Sequence, residues 1–322
     1  MRRIVTFLVL SLCAVVPAFA QDTAPVPVVG VLRIDTTANL APFARMLRDA
    51  FAALGYVDGK NLRLDFRLTE GDTKRLPELA EALVREKVSV IYAAGPAAAR
   101  AAQGATRTIP IVATGSDLVA LGLITSLAKP GGNITGVSLL IPELDAKRLE
   151  VLKEIVPSGQ RFGLISDPAT NGSTGLQAIA DAAVALGVEV QTAEVRGLTE
   201  LPTAFTSLHA WGAEGVNILS SPLLFSLHQK LGELLLADKL PGICEWREMA
   251  ASGCLASYGT TLRELVAIVA ALTDKILKGA HAGDMPAQQP TKFEFIVNMG
   301  VARAIGLTVP PSILARADEV IE

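Results

Sequence analysis

The sequence predicts an α/β protein of two lobes, each built around a doubly wound parallel sheet. The first observation is an alternation of short apolar segments and helical patterns that begins at Val26 and continues almost without interruption. The second is composition, because half of the residues are hydrophobic but only 5% are aromatic, which is typical of parallel strands covered by helices. The third is a break at residues 129–133, rich in Pro and Gly, which separates two series of units.

The first series contains four strands with helices between them. Apolar residues recur at helical spacing after the first strand, and the helix that they predict ends at Gly55. Residues 61–68 alternate between apolar and polar, which predicts a strand with one solvated face. In order, the predicted elements are strand 28–32, helix 43–54, strand 61–68, helix 73–86, strand 88–93, helix 97–103 and strand 109–113.

The second series repeats this design, and a helix and a strand are left over at the end of the chain. A hinge that the chain crosses more than once explains these leftover elements. The predicted elements are strand 162–165, helix 175–186, strand 188–190, helix 201–211, strand 216–219, helix 224–237, strand 240–243, helix 262–277, strand 293–298 and helix 301–305.

The first twenty residues predict an export signal. Two arginines precede an apolar run at 4–16, and Ala-Phe-Ala at 18–20 is a pattern that signal peptidase cleaves. The run has about 13 residues, whereas a membrane-spanning helix needs roughly 20. We therefore expect a signal peptide at 1–20 and an exported mature protein that begins at Gln21. A buried N-terminal helix is the alternative.

The charge balance excludes two classes of partner. The chain has 29 Lys and Arg against 32 Asp and Glu, and without the predicted signal the balance is 27 against 32, a net charge of −5. A mildly acidic chain without runs of like charge has no electrostatic footprint for nucleic acid or for an anionic membrane. Of the cysteines, Cys13 lies in the predicted signal. Cys244 and Cys254 are either a disulfide or two small buried side chains.

Motifs of catalysis and metal binding are missing from the sequence. The three histidines are far apart and form no zinc-binding pair. Residues 171–175 lack the spacing of a nucleophile elbow, and the glycines at 131–136 lack the Gly-Lys-Ser/Thr of a nucleotide-binding loop. No G-x-G-x-x-G follows the first strand. We therefore expect no catalytic residue, no cofactor and no metal, with an exported enzyme as the alternative.

Small, hydroxyl-rich loops follow five of the predicted strands. In open parallel sheets, ligands bind beyond the carboxyl ends of the strands, where hydroxyls and free helix N–H groups cradle a carboxylate. Helix capping explains each loop singly, but five such loops on two lobes favour a cleft. The residues that we expect to contact a ligand are Thr36, Thr37, Gly95, Pro96, Ala97, Thr114, Ser116, Asp117, Asp167, Pro168, Ser221, Pro222 and Trp246.

Three residues in these regions have two interpretations each. Asp117 either faces an ammonium group of the ligand or caps a helix that runs toward Leu127. Trp246 either covers a bound solute or packs on the protein surface. Arg33 either binds an anionic group or pairs with a nearby acid. The sequence leaves each pair of interpretations open.

Blocks along the whole mature chain match a known pattern. The most specific are QPTKFE at 289–294, AIGLTVPP at 304–311 and LARADEVI at 314–321. Earlier blocks lie at 51–61, 75–79, 108–112, 126–137, 147–150, 257–259 and 275–279. Together they resemble the periplasmic substrate-binding proteins of ABC transporters that are often labelled tryptophan/tyrosine-type.

The resemblance implies a periplasmic binding protein-like fold of type I, with two lobes joined by three crossings and a ligand clamped between them. It also implies, by position, that the loops at 36–37, 95–97, 116–117, 167–168 and 221–222 face the ligand. The chain departs from the family pattern in two places. Leu118 stands where the family usually has Pro, and Cys254 stands where it usually has Gly. Because Leu118 lies in a presumed ligand loop, an aromatic ligand does not follow from the resemblance alone.

We therefore expect a periplasmic, monomeric solute-binding protein that delivers a small molecule to an ABC permease in the inner membrane. The ligand class that we expect is an amino acid or a carboxylate with an apolar body. A ligand sensor for a membrane signalling receptor is the alternative function, and no nucleic acid is expected as a partner. The predicted lobes are 26–138 with 259–283, and 139–258 with 284–322.

Overall fold

The structure is a computed structural model that describes residues 25–322, and it confirms the predicted α/β fold with two lobes. Within that range there is a five-stranded sheet and a seven-stranded sheet. We call each sheet, with its helices, the first and the second lobe. The predicted signal peptide at 1–20 and Cys13 lie outside the described residues. No helix of residues 25–322 combines the length and apolar character that crossing a membrane requires.

The first lobe has helices on both faces of its sheet. Val29 and Val31 of the first strand pack in one core with Phe43, whereas Leu32 packs in another core with Leu83. This burial on both faces explains why the central strands of the sheet are nearly continuous apolar runs. The elements are β1 Val28–Arg33, α1 Thr37–Ala52, β2 Arg63–Leu68, α2 Leu76–Arg85, β3 Val90–Ala94, α3 Pro96–Ala105, β4 Ile111–Gly115 and β5 Ile134–Ser138. They pair in parallel in the order β2-β1-β3-β4-β5.

The rest of the chain builds the second lobe and returns one helix to the first. The elements are α4 Ile141–Ile155, β6 Arg161–Ser166, α5 Ser173–Leu186, β7 Glu189–Glu194, α6 Leu201–Trp211, β8 Gly215–Ile218, α7 Pro222–Ser226, α8 His228–Ala237, β9 Gly242–Cys244, α9 Arg247–Ala251, β10 Ala256–Thr260, α10 Leu262–Leu277, β11 Phe293–Asn298, α11 Met299–Ile305, α12 Pro311–Leu314 and β12 Glu319–Ile321. The strand order is β12-β11-β10-β9-β8-β6-β7.

One pair of strands in the second sheet departs from the parallel arrangement. β11 runs antiparallel to β10, because the chain re-enters the second lobe from the first lobe after α10 instead of completing a βαβ unit. The predicted helix 224–237 is two helices that meet at Leu227. The predicted helix from Asp117 toward Leu127 is absent, and turns occupy that segment.

The chain passes between the lobes at several points near the cleft. It enters the second lobe after β5, returns to the first lobe with α10, which packs on α1, and leaves again before β11. Before leaving, Gln288 donates from its backbone N–H to Gly136 O at 2.8 Å, on the edge of the first sheet. The division of the chain at residues 138, 258 and 283 stays a prediction.

Candidate functional site

A cavity of about 70 Å³ lies between the two lobes, and we call it the interlobe cavity. Its first-lobe wall comes from the carboxyl ends of β1, β3 and β4, and its second-lobe wall comes from the ends of β8 and β9 together with α7. This is the place where parallel sheets bind ligands. The lining residues used below are Arg33, Tyr92, Gly95, Pro96, Thr114, Ser221, Pro222, Phe225, Glu245 and Trp246.

The two lobes touch each other directly at the cavity. A Cβ atom added to Gly95, which has φ of +101°, would lie only 2.5 Å from Cγ of Pro222 across the cleft. Asn39 Nδ2 also donates a hydrogen bond of 3.1 Å to the carbonyl of Ser226. The lobes are therefore closed on one another in this structure.

Three aromatic side chains, those of Tyr92, Phe225 and Trp246, line the cavity. Phe225 meets Trp246 edge to face, with ring centroids 6.4 Å apart, and Trp246 is only 7% exposed. On the first lobe, Tyr92 packs beside Phe43 with centroids 6.4 Å apart. Such walls favour a ligand with an apolar or aromatic body. For Trp246, the predicted alternative of surface packing is wrong, because the side chain is buried.

The first-lobe wall carries one buried cation. Arg33 Nε donates to Asp35 Oδ2 at 2.7 Å, so the predicted pairing with a nearby acid is confirmed. Its guanidinium carbon lies 3.9 Å from the Phe43 ring centroid and 5.6 Å from that of Phe225. The Nη groups of Arg33 make no hydrogen bond to any of residues 25–322, whereas Nε does. The two Nη groups are thus left for a ligand in the cavity.

A network of buried charges lies behind the second-lobe wall. Arg148 donates to Asp145, to the hydroxyl of Ser220 and, at 2.6 Å, to the carbonyl of Tyr258. The backbone N–H of Ser220 donates to Asp145 Oδ1 at 3.0 Å. Burial raises the pKa of Asp145, and the Arg148 guanidinium opposes this effect. Within the described part of the chain, Nε of Arg148 has no partner.

Glu245 stands between this network and the interlobe cavity. It directly follows β9, is 5% exposed and lines the cavity. Burial raises its pKa from 4.5 to about 7, Arg148 opposes the shift and Asp145 adds to it. Its buried Oε1 has no hydrogen-bond partner among residues 25–322. A buried acceptor without a partner is rare in folded proteins and calls for a physical explanation.

The predicted site residues separate into three groups in the structure. Gly95, Pro96, Thr114, Ser221, Pro222 and Trp246 line the interlobe cavity. Ser116, Asp117 and Pro168 line a neighbouring cleft of about 620 Å³, which is also formed by both lobes. Thr36, Thr37, Ala97 and Asp167 line neither space.

Several of these residues have structural partners of their own. Thr37 donates from its hydroxyl to Glu70 Oε1 at 2.6 Å, and Asp167 accepts from the hydroxyl of Ser221 at 2.7 Å. Asp117 is exposed, and its Oδ1 accepts from the N–H groups of Val119 at 2.9 Å and Ala120 at 3.1 Å. It therefore caps a turn rather than a helix.

The sequence interpretation missed Tyr92, Phe225 and Glu245 as cavity residues. Tyr92 lies inside a strand that reads as uniformly apolar, and Phe225 lies within an apolar helix pattern. Glu245 had one usable signal, since it is an acidic residue directly after a buried strand, at the sheet edge where ligands bind.

The two cysteines of the described chain are separate thiols. Cys244 and Cys254 are free and buried, and burial raises the pKa of the Cys244 thiol well above its usual value. The predicted interpretation as small buried side chains is therefore confirmed over a disulfide. Among residues 25–322, no group of His, Cys, Asp and Glu is arranged to hold a metal ion.

Comparison with known proteins places this chain among binding proteins. The model of the family described as ABC transporter substrate binding protein matches residues 29–321. A tyrosine-binding protein of Clostridioides difficile (strain R20291) is 30% identical over 258 residues, which cover 79% of this chain and 73% of that protein.

Solved structures agree with this fold. A conserved domain protein from Vibrio cholerae has a TM-score of 0.84 at 26% identity, and an ABC domain in complex with L-Trp from Streptococcus pneumoniae has a TM-score of 0.83 at 24% identity. The ligand-free, open structure of a substrate-binding protein from Clostridium difficile has a TM-score of 0.63 at 26% identity. Each comparison covers 92% of this chain and 99% of the other chain.

Proposed function

The chain belongs to the family of ABC transporter substrate-binding proteins, and we propose that it captures an amino acid with an aromatic or large apolar side chain and delivers it to an ABC permease. The observation that carries the proposal is the interlobe cavity. It joins aromatic walls to one buried charged group on each lobe, which suits a zwitterion with an apolar body.

The relatives support this class of ligand. One is named as a tyrosine-binding protein, and one solved structure of the same fold holds L-Trp. The edge-to-face pair of Phe225 and Trp246 offers a further aromatic ring the geometry that such rings prefer. The departure at Leu118 does not weaken the proposal, because Leu118 is buried and lies outside the lining of the interlobe cavity.

The proposed mechanism is closure of the two lobes around the ligand. A ligand in the cavity contacts both walls only when the lobes are closed, so it shifts the balance toward the closed form. The higher similarity to the L-Trp complex than to the ligand-free, open structure supports a closed arrangement here. The closed form is then the shape that the permease binds.

We further propose that the protein works as a monomer in the periplasm. The sequence at 1–20 supports export, and cleavage before Gln21 leaves the described residues intact. Cell fractionation with N-terminal sequencing and light scattering of the purified protein test these points. A retained N-terminus or a dimer contradicts the corresponding statement.

Ligand binding is tested with the mature protein, residues 21–322, after unfolding and refolding to remove any ligand carried through purification. L-Trp, L-Tyr, L-Phe and L-Leu are compared with sugars and nucleosides by thermal shift and calorimetry. A ligand at 100 times its Kd stabilises the fold by about 2.7 kcal/mol, a midpoint shift of a few degrees for a chain of this size.

A matched pair of variants locates the site. Phe225→Leu changes a cavity wall, whereas Phe293→Leu makes the same change at an exposed position away from the cavity. We expect weaker binding of aromatic amino acids in Phe225→Leu alone. A protein that binds sugars or nucleosides but no amino acid contradicts the proposed ligand class. Equal binding by both variants contradicts the proposed cavity.

A further inference from the structure

Building on the proposed function, we propose that Glu245 holds the ammonium group of the bound amino acid and that Arg33, on the opposite wall, holds its carboxylate. The cavity then recognises the zwitterion at both ends, and the aromatic walls contact the side chain. Because Glu245 must be ionised to hold an ammonium group, ligand binding below neutral pH also releases a proton from the protein.

The position of Glu245 supports the first contact. Its carboxylate is nine-tenths or more buried, lines the cavity and leaves Oε1 without a partner among residues 25–322. An unmade hydrogen bond to a buried acceptor costs free energy, and an N–H donor in the cavity removes that cost. A ligand can supply this donor, because the Nη groups of Arg148 already donate to other acceptors.

The charge balance of the second-lobe wall supports a cationic donor. When Glu245 is ionised, Asp145 and Glu245 bring two carboxylates, whereas Arg148 brings one guanidinium. The Nη groups of Arg148 donate to Asp145, Ser220 and the carbonyl of Tyr258, and none of them donates to Glu245. An ammonium group therefore supplies the positive charge that this wall lacks.

Arg33 completes the recognition from the first lobe. Its Nε donates to Asp35, and its guanidinium packs against the rings of Phe43 and Phe225. A guanidinium with a fixed plane and free Nη groups suits a carboxylate, which it binds through paired hydrogen bonds. Since Phe225 belongs to the second lobe, this contact also forms only when the lobes are closed.

Proton release follows from the environment of Glu245. Its pKa of about 7 means that most molecules of the free protein carry the protonated carboxyl at pH 6. The ionisable groups that act on it are Asp145 and Arg148 from α4 and the thiol of Cys244 from its own strand. An ammonium group favours the ionised form, so L-Trp binding at pH 6 is expected to release about 0.9 proton, and about 0.1 at pH 8.

The experiment compares L-Trp with indole-3-propionate, which lacks the ammonium group, and with tryptamine, which lacks the carboxylate. Calorimetry in buffers of different ionisation enthalpy gives Kd and the number of released protons between pH 5.5 and 8. Glu245→Gln is the test variant. Glu248→Gln is the matched control, since its side chain is partly buried nearby but does not line the cavity.

We expect Glu245→Gln to bind L-Trp about 100-fold more weakly, because it removes one partner of a buried charge pair. Its affinity for indole-3-propionate is expected to change less than about 3-fold, and its proton release at pH 6 is expected to be zero. The control is expected to match the wild type. Preference of the wild type for L-Trp over tryptamine is expected to vanish in Arg33→Met.

The outcomes separate this assignment from the proposed function. If the wild type binds L-Trp without releasing a proton and Glu245→Gln binds it equally well, the assignment is overturned and the function stands. If Glu245→Gln loses L-Trp and indole-3-propionate equally, Glu245 has a structural role only. If the wild type binds no amino acid, both proposals are overturned. Proton release by the wild type needs no variant, so the test does not depend on how Glu245→Gln folds.

Discussion

Replacement of Gly95 by Ala is expected to weaken ligand binding by acting on lobe closure. The added Cβ would lie 2.5 Å from Cγ of Pro222, whereas such contacts are essentially never shorter than 3.0 Å. Pro222 is the first residue of α7, and its ring cannot rotate away. The lobes must therefore separate by about 1 Å to restore a normal carbon–carbon contact of about 3.5 Å.

The magnitude follows from the cost of overpacking. Forcing an additional carbon into a closed contact costs about 1–3 kcal/mol. This cost applies to the closed form alone, so it converts into an apparent Kd about 5- to 150-fold higher. The backbone conformation of Gly95, with φ of +101° and ψ of +163°, adds a strain of about 1–3 kcal/mol for alanine, but this strain is present in the open and the closed forms and lowers stability rather than affinity.

Gly55→Ala is the matched control, because Gly55 has φ of +88° and none of the described atoms lies within 4 Å of its added Cβ. Calorimetry gives Kd for L-Trp, urea unfolding gives stability, and small-angle scattering with ligand gives the closed fraction. Both variants are expected to lose stability through backbone strain, and Gly95→Ala alone is expected to lose affinity. Adding Pro222→Ala to Gly95→Ala is expected to recover binding. An unchanged Kd in Gly95→Ala would refute the reasoning.

Three further predictions concern charged residues. As the pH rises from 4.5 to 8, the free energy of unfolding of the ligand-free protein is expected to fall by roughly 3 kcal/mol relative to that of Glu245→Gln. The reason is that the folded protein keeps a proton on Glu245 up to about pH 7, whereas the unfolded chain releases it near pH 4.5. Urea unfolding at several pH values checks this, and parallel stability curves for the two proteins contradict it. Arg148→Ala is expected to cost about 3–5 kcal/mol in urea unfolding at pH 7, since Asp145 is left buried without its partner, and a loss below 1 kcal/mol would speak against that ion pair. Asp117→Ala is expected to cost about 1 kcal/mol of stability through two lost hydrogen bonds and to leave Kd for L-Trp unchanged, and a higher Kd would return Asp117 to the ligand site.

Elements with an undisturbed apolar period were predictable from the sequence. The helices α6 and α10 and the strand β11 have the predicted bounds. The helix α4 was missed because its buried face includes Asp145 and Arg148, which interrupt the apolar period that identifies a helix facing the core. The antiparallel pairing of β11 depends on where the chain returns to the second lobe, which local pattern does not encode.

The candidate site was predictable in position but not in chemistry. The rule that ligands bind at the carboxyl ends of strands placed Gly95, Thr114 and Ser221 on the interlobe cavity. The same rule also selected Thr37, whose hydroxyl and N–H both donate to Glu70. A rule about strand ends cannot distinguish loops that meet across the cleft from loops that are satisfied within one lobe, because that difference depends on distances between the lobes.

Glu245 shows why the chemistry of the site depends on the fold. An acidic residue in a sequence is usually on the surface, and only the packing of α4 and β9 turns this one into a buried carboxyl with a raised pKa. In the proposed mechanism the free-energy cost of burying Glu245 makes closure depend on the ligand. Closing the lobes without a ligand leaves Glu245 with an unmade hydrogen bond and leaves the second-lobe wall with one cation for two carboxylates. A two-state balance needs about 5.5 kcal/mol to move from 1:99 to 99:1. A ligand that supplies the missing ammonium removes much of that difference, so the closed form reports an occupied cavity to the permease.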